Sequence, residues 1–479
     1  MTEARGCFIG GTWISTVDTF PVVDPATGVE VGRASDATSA EAHAAVDAAA
    51  GAFDEWAATP AAERGAALRR IATELERAGD DIASLIVAEQ GKPIGQARFE
   101  VAYAGQWLEW YAEECRRTYG EIVPPPTPQK RLLVQRRPVG VALAITPWNF
   151  PVAMIARKLA PALAAGCPLV VKPAEQTPLS PAAFIDAVAR AGIPDGVVNF
   201  VTSSDPTRVS DALVGDPRVR KITFTGSTEV GKLLVRQSAG HLARVSLELG
   251  GQAPFIVFDD ADLEAATAGV LASKFQVNGQ SCLCANRLFV QEAVAEPFAE
   301  QLTDAVAGLA VGHGTDPDVA VGPLIDEDGY DKVSAHVADA VEHGARVLVG
   351  GGRREGEGLD RGFFFAPTVL ADCSDEMRVA REETFGPVAP LLTFSDEAEV
   401  VRRANDSRFG LAAYCYTRDL GRAHRVADAL EYGLVGINDP LPASPVAPFG
   451  GFKESGLGRE GGHDGIEAFL ETKLVSIVC

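Results

Sequence analysis

GVALAIT (140–146), PLVVKP (168–173), VVNFVT (197–202), KITFTG (221–226) and RVSLELG (244–250) stand one after another in the middle of the chain. Each is a short apolar run, and the stretch between neighbours is long enough for a helix and its turns. Such runs belong to strands buried on both faces, and strands alternating with helices build a parallel, doubly wound sheet. The predicted class is therefore α/β. Ligands of such sheets bind in the crevice beyond the carboxyl ends of the strands. Here the first run leads into Trp148 and Asn149, the second into Lys172 and Glu175, and the fourth into Gly226 and Ser227. The fifth carries Glu248, Leu249 and Gly250. Polar and glycine-rich groups thus converge on one edge.

Upstream of this centre the pattern is helical. Thr38 and Glu41 have capping-box spacing, and Val46, Ala49, Phe53, Trp56 and Ala57 recur on one face. Leu68, Ile71 and Leu75, then Ile82, Leu85 and Ile86, mark two further amphipathic runs. The segment 119–138 breaks the pattern with three consecutive prolines and then alternates, as a projecting hairpin does. Downstream, RLFVQ, RVLVGG and APLLTF suggest a second βα region from about Pro254 to Leu430. A glycine-punctuated loop and a final strand-like run close the chain.

The 479 residues carry 43 basic and 65 acidic side chains, a net charge of −22, which argues against nucleic acid or an anionic membrane as partner. The first residues lack the basic and apolar regions of a signal peptide, and Arg157 and Lys158 interrupt the longest apolar stretch. The eight cysteines include no C-x-x-C pair and no histidine at zinc spacing, so no metal is expected. These features predict a cytoplasmic protein with reduced thiols.

Chemistry enters with Gly226-Ser-Thr-Glu-Val-Gly231, a strand-to-helix turn whose backbone N–H groups could hold a pyrophosphate. A glycine there also serves purely steric ends. Glu175 after Lys172 could accept ribose hydroxyls and repel a 2′-phosphate, or simply be solvated. Cys282 follows the polar approach Asn278-Gly-Gln-Ser281, unlike a buried core strand. Its thiolate could attack an aldehyde carbonyl, with Glu248 as general base and Asn149 as amide donor to the oxyanion. On residues alone, a packing cysteine, a solvated carboxylate and a turn asparagine remain open readings.

Taken in order, PWNFP (147–151), VKPAEQTP (171–178), FTGSTEVG (224–231), LELGG (247–251), NGQSC (278–282), EETFGP (382–387) and PFGGFKESGLGRE (448–460) resemble the signature series of the NAD(P)-dependent aldehyde dehydrogenase superfamily. The resemblance runs from about Phe20 to the C-terminus. MIARK (154–158), CLCANRLFV (282–290) and ALEYGLVGIN (429–438) look most like its succinate-semialdehyde dehydrogenase branch. It implies a Rossmann-type cofactor domain over 1–118 and 139–250, and an α/β catalytic domain over 251–430. An oligomerisation element would cover 119–138 and 465–479, and a return loop over 431–464 would close the site. Cys282 would be the nucleophile, Glu248 the base, and Asn149 with the Cys282 N–H the oxyanion site. Lys172 and Glu175 would hold the adenosine ribose, Gly226 and Ser227 the pyrophosphate, and Glu383 and Phe385 the nicotinamide side. Trp148 and Leu249 would line the cofactor path. The implied activity is oxidation of a small semialdehyde, succinate semialdehyde foremost, with NAD preferred to NADP, by a homodimer or homotetramer.

Two departures bear on substrate. Members of that branch commonly hold the distal carboxylate with two arginines; Arg157 matches one, but Gln276 stands at the second place. The stretch 438–445 also differs, leaving Ser444 as a polar contact. Glutarate semialdehyde, lactaldehyde-like and aliphatic aldehydes are therefore alternatives. Glu248 speaks against a CoA-acylating enzyme, and the trio Cys282, Glu248 and Asn149 against a non-catalytic protein of the same fold. In this branch a C-x-C pair such as Cys282 and Cys284 can act as a redox switch.

Overall fold

The computed structural model describes residues 4–356 and 358–478, so positions 1–3 and 479 of the spans expected at the chain ends, and 357 within 251–430, lie outside it. The five apolar runs become the strands Val141–Ile145, Leu169–Lys172, Val198–Phe200, Val219–Thr225 and Arg244–Glu248, parallel to one another. In space the last two lie on one side of Val141–Ile145, and Leu169–Lys172 with Val198–Phe200 on the other. The strand order therefore reverses between Val141–Ile145 and Val219–Thr225, and a crevice opens beyond their carboxyl ends. Asn149 and Gly226 follow those two strands.

The sheet is completed from far along the chain. Cys7–Ile9 and Thr12–Ile14 extend one edge, and Gly456–Leu457 pairs antiparallel with Leu247 and Glu248 at the other. The N-terminal third thus opens with strands before its helices. The Gly10-Gly11 turn, with φ of +58° and +85°, is the hairpin signal for Cys7–Ile14. The helix Ser39–Ala58 starts at the Thr38–Glu41 capping box, with both reciprocal bonds made.

Behind the crevice runs Ala153–Ala165, every residue of which is buried, Arg157 and Lys158 included. The longest apolar stretch is therefore a core helix, and among the described residues no helix is long and apolar enough to cross a membrane. A second sheet has the order Arg346–Val349, Thr368–Ala371, Val388–Phe394, Ala285–Gln291, Ala253–Val257, Ala412–Tyr416, Leu434–Ile437, parallel except at its first strand. The stretch 431–464 is not simply a return loop: it contributes Leu434–Ile437 to this sheet and Gly456–Leu457 to the first. Runs so short and glycine-flanked show no periodicity. A third sheet joins Glu121–Val123, Lys130–Pro138 and Leu470–Val478, the last two in register over nine pairs.

Candidate active site

Between the two large sheets lies a cavity of about 430 Å³. Trp148, Asn149 and Arg157 line it from the first strand's turn and the core helix, and Gly226, Ser227 and Leu249 from the neighbouring strands. Gln276, Cys282, Glu383 and Phe385 approach from the second sheet.

Cys282 reaches the cavity because the loop before it folds back sharply. Val277 and Asn278 adopt left-handed backbone, φ +50° and +58°, a conformation uncommon for non-glycine residues and costly for a β-branched one. Partners hold it there. Gln96 Oε1 accepts from Val277 N at 2.7 Å, Asn278 Oδ1 accepts from Gly322 N at 2.6 Å, and Asn278 Nδ2 donates to Pro323 O at 2.8 Å. Gly279 passes so close that a Cβ would lie 2.2 Å from the Gly386 carbonyl carbon. Asn149 Nδ2 donates to Gln280 O at 2.9 Å, tying the oxyanion candidate to the nucleophile loop. An amide carries two N–H donors, so a second is left for a ligand.

The charges are unusual for neutral pH. Burial, and secondarily Glu383, pushes the Cys282 thiol up to about 12. Burial also raises Glu383 to about 7, although its Oε1 accepts from Gly251 N at 2.9 Å. Glu248 is raised well above the ordinary carboxylate value by burial and then by Glu460. Neither Glu248 oxygen has a hydrogen-bond partner. Its Oε1 lies where a Cβ on Gly450 would come within 2.9 Å. Glu248 is not among the residues lining the cavity.

Arg157 is clamped between the rings of Trp107 and Phe449, 4.8 and 4.0 Å from their centroids. Its Nε lies 3.0 Å from Glu460 Oε2, off the hydrogen-bonding direction, and Nη2 is buried without a partner. Glu460 Oε1 accepts from Lys158 Nζ at 2.5 Å. This carboxylate, embedded in the glycine-rich loop, was not legible as a site residue: its cationic partners lie some three hundred residues earlier.

The remaining candidates divide. Ser227 caps the helix Thr228–Ser238, its Oγ accepting from Val230 N, and the positive end of that helix lies where Gly226 and Ser227 line the cavity, a setting that suits a phosphate anion. Trp148 and Phe385 meet edge-to-face at 5.5 Å. Lys172 and Glu175 pair at 3.7 Å outside the cavity lining. This donor set fits a dinucleotide. Ser444 faces away: it lines a separate groove with Trp110 and Val446, while Pro440, Leu441 and Ala443 line the cavity. The expected polar contact is thus replaced by apolar ones, since the loop turns its serine outward. Cys284 is also outside the cavity, buried, with Sγ donating to Lys274 O at 3.5 Å. Phe99 and Tyr103, outside every motif, complete an aromatic wall with Phe150 of PWNFP.

A model of the aldehyde dehydrogenase family matches residues 13–475. The chain is 52% identical to a 3-sulfolactaldehyde dehydrogenase of Pseudomonas putida over 472 residues, 98% of this chain and 96% of that one. It is 51% identical to an NADP-linked succinate-semialdehyde dehydrogenase of Escherichia coli, covering 98% and 97%. The crystal structure of succinate-semialdehyde dehydrogenase from Burkholderia pseudomallei superposes with a TM-score of 0.97 at 50% identity, over 100% and 98% of the two chains.

Proposed function

The chain belongs to the aldehyde dehydrogenase family, and from that premise we propose that it oxidises a short semialdehyde, succinate semialdehyde foremost, to the carboxylate with NAD⁺. One observation carries the substrate reading: Cys282 and the Arg157 guanidinium, with its unpartnered Nη2, line the same cavity. A distal carboxylate held by the Arg157 guanidinium would keep the aldehyde end of a short substrate in the cavity that Cys282 also lines.

Cys282 attacks as the thiolate, the proton of its thiol passing to Glu248 as general base. The oxygen of the resulting thiohemiacetal takes hydrogen bonds from the second Asn149 N–H and the Cys282 backbone N–H. NAD⁺, when bound, supplies the hydride acceptor. Gly226 and Ser227 would lie against its pyrophosphate, Lys172 and Glu175 against the adenosine ribose, and Glu383 and Phe385 on the nicotinamide side, with Trp148 and Leu249 along its path. Glu248 then activates the water that hydrolyses the thioester. Burial raises its carboxyl beside Gly450, so these roles require the side chain to turn into the cavity, where its proton can pass to solvent.

Residues 1–118 with 139–250 would form the cofactor domain and 251–430 the catalytic domain. The segments 119–138 and 465–479 would join copies into a dimer or tetramer. All seven described cysteines are free, which suits a reducing cytoplasm.

A second reading has support of its own. Gln276 is neutral, and Phe99, Tyr103, Phe150, Leu441 and Phe449 make the wall apolar, which favours an uncharged aldehyde. NADH formation over succinate semialdehyde, glutarate semialdehyde, 3-sulfolactaldehyde, lactaldehyde and aliphatic aldehydes separates the two, with Cys282→Ala as the blank. Succinate semialdehyde should lead, and Gln276→Arg should raise its kcat/KM about tenfold by adding a charge-assisted bond. Glu248→Gln should slow turnover by roughly 10²–10⁴. Full turnover by Cys282→Ala would end the covalent mechanism, and an uncharged leader would move the substrate class.

A further inference from the structure

The segment 90–100 belongs to none of the signature runs, yet its side chains hold both loops that carry the reacting groups. Lys92 and Glu100 are fully buried and neither lines the cavity. Lys92 Nζ donates to Glu100 Oε2 at 2.5 Å and to Asn149 O at 2.6 Å, and sits 4.3 Å from the centroid of the Phe150 ring. Glu100 Oε1 accepts from Val152 N at 2.8 Å and Ala153 N at 3.1 Å. Those are the leading amides of the core helix Ala153–Ala165, whose own N-cap residue supplies no side-chain bond. One turn before Glu100 on the helix Ile94–Glu114, Gln96 accepts from the amide of the left-handed Val277.

We propose that the Lys92–Glu100 pair is the positioning device of the oxyanion site, fixing Asn149 from behind while leaving its amide to the substrate. The inference rests on the role assigned above to Asn149. A buried ion pair is a poor source of net stability, because desolvation offsets its attraction, and apolar residues of similar volume would pack at least as well. Direction is what it supplies. The ammonium holds the carbonyl of Asn149 and the carboxylate holds the amides three and four residues later, so the turn between them has no freedom to rotate. The Asn149 amide then stays 2.9 Å from Gln280 O, on the nucleophile loop. An error of about 1 Å in such a group costs roughly a hundredfold in rate.

The test is a double-mutant cycle on aldehyde oxidation. Glu100→Gln and Lys92→Met are each made alone and with Asn149→Ala, and folding is checked by thermal melts. Each single variant should lower kcat about tenfold to a hundredfold. The KM for NAD⁺ and the rate of Cys282 alkylation by iodoacetamide should stay within twofold. In the Asn149→Ala background the same substitutions should cost nothing further in kcat, because the group they position is gone. Losses that add to that of Asn149→Ala, or a kcat unchanged in both single variants, would overturn the proposal. If Asn149→Ala itself keeps full kcat, the failure lies with the oxyanion reading instead. A variant without a cooperative melt is replaced in the cycle by Lys92→Gln, which keeps a donor for Asn149 O.

Discussion

Burial and the carboxylate of Glu383 push the Cys282 thiol up to about 12, so at neutral pH the reactive anion is a small fraction. The raised value sets the sign: the anion fraction grows as pH rises and does not saturate below about 12. Iodoacetamide alkylation of Cys282 should therefore accelerate about tenfold per pH unit between pH 7 and 10, and a plateau near pH 8 would contradict it. At the cofactor end, Glu175 is half-buried and 3.7 Å from Lys172 Nζ. A carboxylate there meets a 2′-phosphate with like charge, so NAD⁺ should exceed NADP⁺ in kcat/KM, and Glu175→Ser should narrow the ratio. A wild-type preference for NADP⁺, as in the Escherichia coli relative, would refute this reading. Cys282 and Asn149, which line the cavity, were legible as candidates because each sits in a short run whose neighbours mark it. Glu460, Lys92 and Glu100 were not, since their meaning lies wholly in partners distant along the chain. Ser444 misled because nothing in a loop's composition says which way one side chain turns.

Helices and strands were legible where a local pattern marks them: the three-residue strand Val198–Phe200 was read, and the long helix Ile94–Glu114 was not. The capping box at Thr38 and the apolar stripes after it needed no tertiary information, whereas Leu434–Ile437 and Gly456–Leu457 exist as strands only because a sheet edge waits for them. The same dependence shows at the helix Leu179–Arg190. Its N-cap, Pro178, gives no side-chain bond, and its first amides are instead taken by Glu89 of the helix Gly79–Gln90, at 2.7 Å from Leu179 N and 2.8 Å from Ser180 N. Burial raises Glu89 from 4.5 to about 8. A carboxyl raised in the folded state contributes stability that is full below its unfolded value and is lost as pH climbs through its folded one. The melting temperature should therefore fall between about pH 5 and 9, and Glu89→Gln, which keeps one of the two acceptor oxygens and removes the titrating proton, should flatten that slope. Parallel slopes in the two proteins would remove Glu89 as the cause.

At the scale of the molecule, the three-stranded sheet of Glu121–Val123, Lys130–Pro138 and Leu470–Val478 is conspicuous for what it leaves uncovered. Leu474 is 61% and Val478 72% exposed on one face, and Ile122 81% on the other, apolar groups of the kind that pair with another copy. Sedimentation should find a dimer or larger, and Leu474→Asp should shift it to a smaller species; a monomeric wild type would exclude the assembly. The first large sheet has a different consequence, one of timing. Its edge strand Arg244–Glu248 waits for Gly456–Leu457, and the buried cations Arg157 and Lys158 wait for Glu460. A ribosome adding roughly 5–20 residues per second needs tens of seconds to pass from one to the other. During that interval the nascent chain carries an unpaired strand edge and two core cations with no counter-charge. Completion of the native centre thus waits until the glycine-rich loop has been made, and a chain released before residue 456 cannot close it.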